Sequence, residues 1–155
     1  MQIGTRKPLY IAAAAFGLLA CSGPQASAQT LPFSPVVEAN GVIYLAGHLG
    51  RDSKSGTYAK STAEQTKATL ENIGDTLETI NASHADIVRC QVFMTDISKF
   101  SEMNAAYRKF FPTHPPARTT VGVAGLAAPN ALIEIECTAV RGHGAKNNIT
   151  QQTEN

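Results

Sequence analysis

The stretch ARTTVGVAGLAAPNALIEIECTAV, Ala117 to Val140, decides the fold. Its second half alternates with period two: Ile133, Ile135, Cys137 and Ala139 fall on one side and Glu134, Glu136, Thr138 and Val140 on the other. Such alternation describes a strand with one face against a core and one face turned away from it. Its first half, Thr119 to Val123, also reads as a strand, and Gly122, Gly125, Pro129 and Asn130 mark a loop between the two. The glycines are not followed by a GK[ST] helix start, so no phosphate-cradling loop is indicated. Arg118 stands at the mouth of the first strand, just after His114, Pro115 and Pro116. A guanidinium there is either a solvated strand end or a grip for an anionic ligand.

Upstream, DIVRCQVFMTDI (Asp86–Ile97) alternates in the same way, with Val88, Cys90, Val92 and Met94 on one face and Arg89, Gln91, Phe93 and Thr95 on the other. Between these strands lies a helix predicted over about Ser98 to Phe111, with Phe100, Met103, Tyr107 and Phe110 as its buried face and Pro112 as its stop. Earlier still, Leu70, Ile73, Leu77 and Ile80 form one helical stripe, opened by Ser61 and Glu64 at capping-box spacing and ended at Asn81. In VVEANGVIYLAGHLG (Val36–Gly50), Asn40-Gly41 between two apolar runs is a hairpin signal. The polar run RDSKSGTYAK that follows reads as a loop.

The order is ββαβαββ, a single α+β domain with a mixed sheet and two helices on one face. Two helices leave the other face bare, and that face carries apolar side chains: Phe93, Leu132 and Val140. Exposed apolar patches of that kind mark assembly, so the sheet is expected to meet further copies. Glu134 and Glu136 share this face, where an acid needs a partner. Arg118 and Arg89 are the cations available on neighbouring strands, and a structural ion pair competes with a catalytic role.

The chain has 155 residues and 43% apolar content, enough for one ordinary core. Residues 1–28 read as an export signal: Arg6 and Lys7, then the apolar run Leu9–Ala20, then small residues. Two processing sites are open. ASA (Ala26–Ala28) has the form of signal peptidase cleavage, and LLAC (Leu18–Cys21) resembles a bacterial lipobox in which Cys21 carries a lipid. The protein is expected to be exported, to the periplasm or beyond, and to touch a membrane only if Cys21 is lipidated. Residues 29–141 form the domain, and the polar residues 142–155 read as a disordered tail. Cleavage after Ala28 removes two of 13 basic residues and none of 12 acidic ones, leaving 11 − 12 = −1. A domain of that balance has no general pull on a nucleic-acid backbone. Cys90 and Cys137 are read first as buried free thiols, a disulfide requiring their strands to be neighbours. The cysteines and histidines show no metal-ligand spacing, so no metal is expected.

The segments LPFSPVV, NGVIYLAGHLG, MNAAYRKFF, PPARTTVGVAGL and IEIECTAV, in that order, resemble the RidA (YjgF-type) family of imine and enamine deaminases. The resemblance spans about Thr30 to Arg141. It implies a chorismate-mutase-like fold and a homotrimer whose sheets form a central barrel, with a ligand cleft at each subunit interface. It implies hydrolysis of 2-imino or enamine acids to 2-keto acid and ammonia with no metal or organic cofactor. Arg118 would grip the substrate carboxylate through a bidentate fork, and Glu134 would polarise the attacking water. Asn104 and Gly47 match pocket positions. Phe33 and His48 stand where a tyrosine and a glutamine are common, and Thr120 where a cysteine is common, which changes the pocket's hydrogen-bonding groups. His48 either contacts ligand or caps a strand. The competing readings are a non-catalytic trimer that binds a small carboxylate or a protein partner and, weakest on charge, an endoribonuclease.

Overall fold

The computed structural model describes residues 31–144, and the signal-like segment and most of the tail lie outside them. Val36–Ala39 (β1) and Val42–Leu45 (β2) pair as an antiparallel hairpin. Asn40 and Gly41 join them with positive φ at both positions (52° and 78°), the twist that a two-residue turn between right-handed strands demands. His48–Leu49 (β3) is a short strand absent from the sequence reading. Thr62–Glu78 forms α1, Ile87–Met94 β4, Phe100–Tyr107 α2, Ala117–Gly122 β5 and Ile133–Val140 β6.

The sheet runs β1-β2-β6-β4-β5, with β3 also paired to β6. All pairings are antiparallel except β4 with β5. Strand β6 is therefore central, as its regular alternation requires: Ile133, Ile135, Cys137 and Ala139 are buried and their neighbours half-buried. Both helices cover that buried face. Leu70, Ile73 and Leu77 of α1 and Met103 of α2 pack with Ile43, Leu45, Val92, Met94, Ile133 and Ile135 in one core.

Ser61 caps α1 as its spacing foretold, accepting the Glu64 N–H at 3.2 Å. Gln65, fully buried in the first turn, donates to the carbonyls of Ala59 and Asn130 and accepts from the Leu132 N–H. One amide thus ties two loops to the helix.

Four expectations change. The second helix is shorter than predicted: Ile97–Lys99 is a 3-10 turn, and the chain leaves α2 after Tyr107. Phe100 is 38% exposed, while Met103, Ala106, Tyr107 and Phe111 supply the buried face. Leu132 precedes β6 and borders a hollow with Ser61 and Thr62 rather than standing on the bare face. Cys90 and Cys137 are directly opposite in the β4–β6 register, with Cα atoms 4.1 Å apart, and form a disulfide rather than free thiols. Beyond Arg141, Gly144 donates its N–H to Asp86 Oδ1 at 3.2 Å.

Candidate active site

Strands β4 and β5 run parallel with Arg118 beside Cys90 and Thr120 beside Val92. Partners in a parallel ladder point to the same face. Cys90 and Val92 are wholly buried under the helices, so Arg118 and Thr120 turn toward α2. The Arg118 guanidinium meets three groups of that helix. Nη2 donates to Asn104 Oδ1 at 2.6 Å, the carbon of the fork stands 4.6 Å from the Tyr107 ring centre, and Nη1 approaches the Met103 sulfur at 3.9 Å. The Phe100 ring lies further out, at 5.7 Å. An amide and aromatic faces orient the fork without neutralising it.

Arg118 has no acidic partner among the described residues, whose ion pairs are Lys67–Glu71 and Arg141–Glu38. It opens on a cavity of about 440 Å³ bordered by Asn104, Tyr107, Arg108, Phe111 and the turn Pro112–Pro116. Two buried hydroxyls, Tyr107 Oη and Thr120 Oγ1, have no hydrogen-bond partner among the described residues. Burial holds the Tyr107 phenol up at about 12 against a smaller opposing pull from Arg118. Tyr107 is therefore a neutral donor at physiological pH.

Glu134 faces the other way. It stands opposite Phe93 on β4 and Leu49 on β3, on the face away from the helices. Between the Tyr44–Thr138 and His48–Ile135 pairs, Leu45, Ala46 and Gly47 face only Cys137 and Glu136. The extra residue is a β-bulge, and it brings the Gly47 backbone against the Glu134 carboxylate. A Cβ on Gly47 would lie 2.0 Å from Glu134 Oε1. The resemblance implied a pocket position for this glycine; within the chain it makes room for the acid. Burial, then the neighbouring charge of Glu136, raises the Glu134 pKa above the ordinary carboxylate value. The segment carrying Phe33 is tied to the same bulge, because Ala46 N–H donates to the Pro35 carbonyl at 2.9 Å. Phe33 itself is 55% exposed.

The expected site residues thus divide: Arg118, Asn104 and Thr120 lie on the helix side of β5, Glu134 and Gly47 meet at the bulge, and Phe33 lies two residues before the Pro35 carbonyl that is tied to it. The sheet separates the groups. Arg118 is accordingly not available to pair with Glu134 or Glu136 in the same chain, contrary to the sequence reading. Arg89 does share their face, in register with Thr138, and is exposed. Gln91 reaches the Glu136 carboxylate at 3.5 Å.

His48 uses both ring nitrogens internally, Nδ1 with the Ala46 carbonyl at 2.7 Å and Nε2 with Thr76 Oγ1 at 2.8 Å. Of its two expected roles, the structural one is seen. Burial lowers its pKa, against the opposing effect of the Ala46 carbonyl. Tyr107 and Arg108 were missed as site residues. Their signal was present, since Tyr107 and Arg108 lie three and four positions after Asn104 and share its helix face. Among the described residues no group of three His, Cys, Asp or Glu side chains could hold a metal ion.

Residues 23–141 match the family model described as endoribonuclease L-PSP. Reactive Intermediate Deaminase A, chloroplastic, of Arabidopsis thaliana is 36% identical over 119 residues, covering 76% of this chain and 63% of that longer protein. A Bos taurus protein named 2-iminobutanoate/2-iminopropanoate deaminase is 35% identical over 122 residues, 78% of this chain and 88% of the relative. Among solved structures, that of Escherichia coli TdcF with bound serine superposes with a TM-score of 0.67 at 29% identity, covering 72% of this chain and 90% of the other.

Proposed function

This chain belongs to the endoribonuclease L-PSP family, and on that premise we propose that it is a hydrolytic deaminase of 2-imino and enamine acids. The observation that carries the reading is Arg118: an oriented, half-buried guanidinium on a cavity, with no carboxylate of its own. A substrate carboxylate supplies the missing acid through two parallel charge-assisted hydrogen bonds. The relative solved with serine bound holds a ligand that carries such a carboxylate.

Glu134 is the group that handles water. Its raised pKa brings it closer to the range in which a carboxylate both takes and returns a proton. It carries both protons of the added water to nitrogen in turn, one as the carbinolamine forms and one from the new hydroxyl as the C=O bond forms and the C–N bond breaks. The products are the 2-keto acid and ammonia. The imine is reactive by itself, so orientation of water and substrate supplies most of what is needed.

Because Arg118 and Glu134 lie on opposite faces of one sheet, a site using both takes them from two copies. A homotrimer with its sheets turned inward meets this need. It also covers the bare face, where Val37, Tyr44 and Val121 are 49%, 52% and 41% exposed. Export is supported by the Cys90–Cys137 disulfide, a bond that persists in oxidising compartments.

The test is the loss of 2-iminopropanoate, generated in situ, with the wild type, Arg118→Ala and Glu134→Gln. The wild type should outpace the protein-free blank and both variants should fall to it. Decay equal to the blank in all three would favour the second reading, a module that binds small carboxylates without turning them over.

A further inference from the structure

A second arginine borders the cavity beside Arg118. Arg108 borders the same hollow of about 440 Å³. Its backbone N–H donates to the Asn104 carbonyl at 3.0 Å, one helical turn back, so the two side chains leave the helix on one face. Asn104 in turn holds Arg118. Two arginines, one on β5 and one at the end of α2, therefore border one volume. The remaining lining residues are Tyr107, Phe111 and three prolines, none of them acidic.

Arg108 is exposed and has no ion pair among the described residues. An arginine at the end of a helix ordinarily needs only water. This one shares its hollow with Arg118, which likewise has no acidic partner among the described residues. A monocarboxylate would satisfy Arg118 and leave Arg108 beside it unanswered. A ligand with two negative ends answers both.

We propose that Arg108 and Arg118 together select a 2-imino dicarboxylate, with Arg118 on the carboxylate next to the imine carbon and Arg108 on the distal one. For the imine, the proposal rests on the deaminase reading above; the paired-cation pocket stands on its own geometry. The reaction is unchanged in balance: water supplies the keto oxygen, ammonia leaves, and a 2-keto dicarboxylate remains.

Stable keto acids test the pocket without turnover. The full chain, its Arg108→Gln variant and its Arg108→Lys variant would be titrated calorimetrically with 2-oxoglutarate and with 2-oxobutanoate. In the wild type the dicarboxylate should bind about tenfold more tightly, a fair yield for one additional exposed charge-assisted contact. The ratio should collapse toward one in Arg108→Gln, survive in part in Arg108→Lys, and narrow as salt is added. Equal affinities in the wild type, failure of both ligands to bind, or a preference that persists in Arg108→Gln would each overturn the proposal. Turnover of the imines made in situ from aspartate and alanine separates the two claims. Preferential binding of 2-oxoglutarate with no loss of either imine would refute the deaminase and leave the pocket intact. Turnover of both imines without a dicarboxylate preference would do the opposite.

Discussion

The Glu134 carboxylate occupies the space that a side chain at position 47 would fill: a Cβ on Gly47 would sit 2.0 Å from Oε1 and 3.0 Å from Cδ. The β2–β3 bulge presents the bare Gly47 backbone to an acid fixed on the central strand. Gly47→Ala must push the carboxylate away, because both the bulge and β6 are held by strand pairing. We expect a fall in kcat of about a hundredfold, as for a catalytic group displaced by roughly an ångström, with KM much less affected. Steady-state kinetics with 2-iminopropanoate measure both, and an unchanged kcat would remove Glu134 from the chemistry.

Asn104 and Arg118 offer a sharper contrast. The Asn104 amide oxygen takes one N–H of the fork at 2.6 Å and leaves its charge in place. Asn104→Asp converts this contact into an internal ion pair that competes with the substrate carboxylate. Asn104→Ala only frees the fork. The aspartate variant should therefore raise KM by at least about tenfold more than the alanine variant, on the strength of a charge-assisted pair. Similar KM values for the two would show that Arg118 does not hold the carboxylate.

The fold was legible wherever one signal governed one element. Alternation in β6, Asn40-Gly41 in the hairpin, and Ser61 with Glu64 at the head of α1 each translate directly into structure. Strand β5 did not, because it inverts the usual rule. Arg118 and Thr120 face the helices while Val121 is 41% exposed. Only its parallel register with β4 reveals which face is which, and register is a long-range property. The same holds for Cys90 and Cys137, whose pairing depends on β4 and β6 being neighbours. The bulge at Gly47 was hidden inside a run that reads as one continuous strand. Each site residue could thus be proposed singly, but their division across the sheet could not.

The Cys90–Cys137 disulfide joins β4 to β6 across a sequence separation of 47. Closing a loop of that length in the unfolded chain stabilises the fold by about 4 kcal/mol on the chain-entropy account. Cys90→Ala with Cys137→Ala should lose stability of that order, or somewhat more from the vacated space in the core. Urea unfolding of the double variant, and of the wild type with and without reductant, measures it. A wild-type midpoint indifferent to reductant under conditions shown by thiol titration to open the bond would contradict this role.

Glu134 also makes stability depend on pH in a direction that exposes its cost. Its folded pKa is raised from 4.5, first by burial and then by Glu136. The folded state thus holds this proton more tightly than the unfolded state does. The group's favourable contribution is complete below the ordinary carboxylate pKa and is lost as pH rises through the folded value. Glu134→Gln cannot ionise and escapes the loss. The Tm of the variant minus that of the wild type should therefore increase as pH rises from 4.5 through the folded value and level off above it, while turnover is abolished. His48 acts in the opposite sense in both proteins. Its pKa is lowered from 6.5, so its contribution is complete above that value and fades as pH falls through the folded one. Because His48 is common to both, it cancels in the difference. A Tm difference that stays flat with pH would mean that Glu134 ionises as freely in the fold as in the unfolded chain, and its assignment as the proton-handling group would lose its electrostatic basis.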